Sequence, residues 1–140
     1  MWALKNTYLK ILRIEMEELE TDLQHLADEF RENASSRCLS ENVVMQNLAT
    51  LRNELLGVGT FERIIEHTQP ETFDSLDEMI EYLKTAFRQK MVSSGLAEAV
   101  WYLVERKLEK VSTYVRQMDE VTPFSSRTKQ EPNLKITTGN

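Results

Sequence analysis

Trp2–Asn33, WALKNTYLKILRIEMEELETDLQHLADEFREN, decides how this chain folds. Its apolar residues Leu9, Leu12, Met16, Leu19, Leu23, Leu26 and Phe30 are separated by alternating steps of three and four, which on an α-helix draws them into one continuous seam. Acidic residues fill the wet side, Glu17, Glu18 and Glu20 among them. A helix of roughly 30 residues rising about 1.5 Å each runs about 45 Å. That is the length of a whole small bundle, so the rest of the chain is expected to cover the seam.

The N-terminal half of the stretch carries more than the seam. At about 100° per residue, Leu4, Ile11 and Ile14 fall outside the main arc, and Trp2 and Tyr8 add to the apolar surface. Such an excess predicts a deeper seat in the chain's own bundle or contact with another chain.

Working outward, Asn33–Leu39 is small and polar, the composition of a short connection between antiparallel helices. Ser40 then caps a second helix carrying Val44, Leu48, Leu51, Leu55, Val58 and Ile65 at helical spacing. Gly57 and Gly59 interrupt it, each costing about 1 kcal/mol relative to alanine. They therefore imply close helix packing or a kink. A phosphate-binding loop would need a preceding strand and more glycines.

Pro70 ends the second helix, because proline disfavours helical geometry in the residue before it. Ser75-Leu-Asp-Glu78 reads as a capping box opening a third helix, whose apolar side is Leu76, Met79, Ile80, Leu83, Phe87 and Met91. Ser93-Ser94-Gly95 stops it. A fourth amphipathic run begins at Leu96, with a wide apolar arc that includes Val100, Trp101, Leu103, Val104, Leu108, Val111 and Val115. Lys107 projects from that arc, and its amine is expected to snorkel outward or meet a carboxylate such as Glu15 or Asp22. After Val121 the pattern fails, and residues 122–140, with apolar Leu134 and Ile136, read as a flexible polar tail.

The fold class expected is all-α: an antiparallel bundle of four helices at about 2–33, 40–67, 75–94 and 96–121, forming one domain over 1–121. The low glycine and proline content, four and three residues, agrees with few obligatory breaks.

Composition narrows the chemistry. With 17 basic against 23 acidic side chains and a net charge of −6, docking along a phosphate backbone is disfavoured, and no nucleic-acid partner is expected. Cys38 is the only cysteine, so one chain can form neither a disulfide nor a multi-thiolate metal site. Lys5, Lys10, Arg13 and Glu15 interleave the first apolar residues, unlike a signal peptide, and no window approaches the roughly 20 apolar residues that span a bilayer. A cytoplasmic protein without a membrane partner is expected.

Catalytic and cofactor residues are not recognisable in the sequence, and no cofactor or metal is expected. The two histidines cannot complete a carboxylate-bridged metal bundle, and His25 points away from the seam. Glu15, Glu17, Glu18, Glu20 and Asp22 could gather magnesium only opposite a second acidic helix, for which Asp77, Glu78 and Glu81 are the candidates.

Leu51-Arg52-Asn53-Glu54-Leu55-Leu56-Gly57 resembles the opening of the Arg-Asn…His motif of HEPN-type ribonucleases, small helical proteins. Gly57 stands where that motif has its histidine, and Arg63-Ile-Ile-Glu-His67 offers an Arg and a His at shorter spacing. The resemblance implies a degenerate Arg/His site.

The leading expectation is a non-enzymatic interaction module, self-associating as a homodimer or binding a protein partner. Its candidate interface is Trp2, Leu4, Tyr8, Ile11, Ile14, Trp101 and Leu103. The alternative is a small helical hydrolase acting on nucleotides or RNA, with polar candidates Lys107, Arg52, Arg63 and His67. A third possibility is an apolar-ligand pocket near Trp101 and Lys107.

Overall fold

The computed structural model describes residues 2–37, 39–95 and 98–121, and the side chains of 3–34, 39–95 and 98–118. Four helices pack on one another: α1 (Trp2–Arg37), α2 (Glu41–Glu66), α3 (Leu76–Ser94) and α4 (Glu98–Val121). A single 3-10 turn, Pro70–Thr72, joins α2 to α3. Among the described residues there is no strand. The predicted tail 122–140 and Cys38 lie outside them.

The helix ends follow from local chemistry. Ser40 Oγ accepts from the Val43 N–H at 3.3 Å, and Ser75 Oγ accepts from Glu78 N–H at 3.1 Å. Glu78 completes the box one residue further back than the usual pattern, accepting from Asp74 N–H at 2.8 Å. Gly95 closes α3 in the left-handed region at φ 68°, donating its N–H to the Met91 carbonyl. α1 departs from expectation: it continues past Asn33 to Arg37, so residues 33–37 are helix rather than connection. Ala34 is buried there and its carbonyl accepts from Leu39 N–H at 3.3 Å, which extends the hydrogen-bonded turn.

Pairings between α3 and α4 show that these two helices run antiparallel. Asp77 meets Arg116 while Phe87 stacks on Trp101, so partner numbers on α4 fall as those on α3 rise. The centre holds Leu12 and Met16 of α1, Phe61 and Ile65 of α2, Leu83 and Phe87 of α3, and Val104 and Leu108 of α4. Phe61 meets Phe87 edge-on, with ring centroids 5.1 Å apart. Fully burying side chains of this size contributes roughly 1.5–3 kcal/mol each.

α2 runs through both glycines without a break. A Cβ at Gly57 would lie 2.3 Å from Val100 Cγ1, so the absence of a side chain is what lets α2 approach α4. Gly59 has nothing within 4 Å of its virtual Cβ. Of the two, only Gly57 is there for packing.

One seam residue does not behave as expected. Leu26 is 51% exposed, whereas Ala27 and Ala34 are buried. Three residues after Leu23 leave a side chain about 60° short of it, four carry it about 40° past, and the buried stripe takes the second course. The covering helices also run out here: α3 has 19 residues against 36 in α1, about 28 Å against about 54 Å.

Candidate functional site

The bundle divides the candidate interface into interior and surface. Tyr8 is fully buried; its hydroxyl donates to the Leu108 carbonyl at 3.0 Å, and burial pushes its ionisation well above the ordinary tyrosine value. Trp101 is also interior, stacked on Phe87 at 6.1 Å between centroids, with the Arg88 guanidinium 4.3 Å from its ring centre. Both are corrections to the expected surface, because each is satisfied within one chain. Leu4, Ile11 and Leu103 are half-buried against the core. Ile14 is 53% exposed. The Trp2 side chain lies outside the described ones.

Ile11 also borders a groove of about 690 Å³ between α1 and α4, with Val111, Tyr114 and Gln117 on its other wall and Glu15 and Lys110 at its margin. Tyr114 and Met118 are exposed on the same end of α4. Ile14 on α1 and Tyr114 on α4 are therefore large apolar side chains that the bundle leaves exposed, and half-buried Ile11 borders the groove beside Tyr114.

Lys107 meets one of its two expected partners. Its Nζ donates to Glu15 Oε1 at 2.9 Å, and Lys110 reaches the same oxygen at 3.1 Å. The Lys107 hydrogen bond is the main reason the Glu15 carboxyl sits below its ordinary value; partial burial opposes it, and Lys110 adds to it. Lys107 and Trp101 line none of the grooves described here, so the two do not form a common pocket in them.

The polar candidates on α2 separate. Arg63 and His67 line a groove of about 710 Å³ between α2 and α3, together with Thr60, Tyr82, Gln89 and Lys90. Arg52 is exposed and is not part of it. His67 Nδ1 lies 2.8 Å from the Arg63 carbonyl, so Nδ1 carries the proton and Nε2 is the free acceptor in the neutral ring. Arg63 and Lys90 bring two positive charges to the groove. It also runs between the C-terminal turns of α2 and α3, whose carbonyl ends oppose an anion.

The carboxylates are arranged otherwise than a magnesium site on α1 and α3 would require. Asp77 is engaged by Arg116 and Glu78 by the cap of α3. Glu17 and Glu20 of α1 approach α2 instead: burial pushes the Glu62 carboxyl up, and Glu20, Glu17 and Glu66 push it further, Glu20 within hydrogen-bonding reach. Among the described residues no three His, Cys, Asp or Glu side chains converge as metal ligands would. No described helix is long and apolar enough to cross a membrane.

Two functional details were not visible beforehand. Lys5 is buried and donates to the Phe73 carbonyl, fastening the start of α1 to the α2–α3 connection. The Glu62–Glu20 encounter needs the α1–α2 register, which no local pattern announces. Comparison with protein-family models, curated protein sequences and solved structures gives no significant match.

Proposed function

We propose that this protein is a non-enzymatic interaction module that presents a helix surface for self-association. The observation supporting this reading is the exposure of large apolar side chains on neighbouring α1 and α4, Ile14 on the first and Tyr114 on the second, Tyr114 lining a groove with half-buried Ile11. A surface of large apolar side chains rimmed by charges is what helix-on-helix association uses. Ile14 and Tyr114 are the informative positions, because Leu4 and Ile11 also support the core.

The test is the oligomeric state. Light scattering over rising concentration should show association, and Ile14→Asp with Tyr114→Asp should abolish it while far-ultraviolet circular dichroism keeps its helix content. A chain that stays monomeric before mutation ends the self-association reading.

The groove holding Arg63, His67, Tyr82 and Lys90 favours a second reading, a small hydrolase of nucleotides or RNA. Here His67 Nε2 would be the proton acceptor and the two cations would hold phosphate. Metal-independent RNA cleavage lost in His67→Ala would support it; inert protein would remove it.

A further inference from the structure

The solvent face of α1 is arranged symmetrically about Ile14. Thr7 and Thr21 lie seven residues to either side, and Lys10 and Glu18 four residues to either side. Steps of seven and four turn a helix by about 20° and 40° from the starting direction, so all five residues share one outer stripe. Lys10, Ile14, Glu18 and Thr21 are exposed and Thr7 is half-buried. The charge is antisymmetric: Lys10 and Arg13 precede Ile14, while Glu17, Glu18 and Asp22 follow it. Among the described residues none of these five charged side chains forms an ion pair.

We infer that this stripe pairs with its own copy: two α1 helices run antiparallel across a two-fold axis through Ile14. The inference rests on the reading of the protein as a self-associating module, narrows its face to the α1 side around Ile14, leaving Tyr114 at the edge, and supplies partner and register. Under that symmetry Ile14 meets Ile14 once on the axis, while Thr7 meets Thr21 and Lys10 meets Glu18, each of these two contacts made twice. A parallel pairing would set Lys10 on Lys10 and Glu18 on Glu18, so the charge order selects the antiparallel one. The surface relief agrees. A depression of about 280 Å³ beside Ile14 is lined by Glu17, Glu18, Thr21 and Asp22, where the antiparallel copy sets down its Lys10. Three carboxylates receive one ammonium there.

The stripe from Thr7 to Thr21 is about 21 Å long, short for the roughly 800 Å² per partner of a standard stable interface. The dimer is accordingly weak, concentration-dependent and sensitive to salt.

Sedimentation over a concentration series gives the first readout: association should weaken by at least tenfold with Lys10→Glu or with Glu18→Lys, and recover when both are combined. In a Cys38→Ser background, oxidation of Ile14→Cys should give a disulfide-linked dimer, whereas Lys10→Cys should not. A dimer that fails to cross-link through position 14 and ignores the charge exchange overturns the α1 pairing but leaves self-association standing. A chain monomeric at every concentration overturns both.

Discussion

The same two helices behave differently along their lengths. From Tyr8 to Leu23 on α1 and from Gly57 to Ile65 on α2 they are half of a four-helix core, with Leu12, Met16, Val58 and Phe61 fully buried. From Gln24 to Leu56 they form a hairpin in which Ala27 and Ala34 are the only buried side chains among those described. The sequence pattern barely changes between the two regions; what changes is coverage. α3 and α4 are too short to follow, so the hairpin has one mutual contact face and leaves Leu26, Val43, Met45 and Leu56 exposed. Helical periodicity specifies which way a side chain points. Whether anything meets it there depends on the lengths of other elements.

That contrast can be broken most forcefully at Phe87, fully buried between Phe61 and Trp101. Phe87→Ala should lower unfolding free energy by about 3–5 kcal/mol in urea denaturation. The two glycines of α2 sharpen the comparison at close range. Gly57→Ala adds a methyl against fully buried Val100 and should lose about 1–3 kcal/mol despite the better helix propensity. Gly59→Ala meets open space and should gain up to about 1 kcal/mol. Equal effects at the two sites would mean that α2 and α4 do not approach as described.

Electrostatic effects should be smaller and opposite in sign. Glu15 sits below its ordinary value because Lys107 bonds its carboxylate, so its contribution is present above the unfolded-state pKa and is lost as pH falls through the lower folded value. Glu15→Gln should cost roughly 1 kcal/mol at neutral pH, with the difference shrinking in acid. Glu62 sits above its ordinary value through burial and the neighbouring Glu20, Glu17 and Glu66; its favourable contribution is present below the unfolded pKa and lost as pH rises through the folded one. Glu62→Gln should therefore stabilise at neutral pH, on the order of 0.5 kcal/mol, and much less in acid. Thermal melts across pH measure both.

The smallest effect belongs to the hairpin. Met45→Gln and Leu56→Gln should each change stability by less than about 0.5 kcal/mol, as exposed positions do. A loss several times larger would show that a partner covers this half of α1 and α2 in solution.

Much of the architecture was legible residue by residue. Ser40, Ser75 and Gly95 announce helix ends because caps are local chemistry, satisfied within a few residues. The Lys107–Glu15 pair could be named as one of two options, since a lysine in an apolar arc has to find a carboxylate or water. Tyr8 and Trp101 were misplaced at a surface because a helical wheel assigns direction without depth. Arg63 and His67 share a groove with Lys90 only because α3 lies beside α2, and Arg52, on the same helix, is left out of it.

The sequence by itself determined four amphipathic helices, their approximate limits and their antiparallel succession, because periodicity, capping and short connections act between residues close in the chain. Only the tertiary structure decided that Gly57 rather than Gly59 is the contact glycine, that Glu20 and Glu17 of α1 confront Glu62, and that Ile14 remains outside while Tyr8 goes in. Those outcomes depend on helix length and register across distant segments, and no local spacing encodes either one alone.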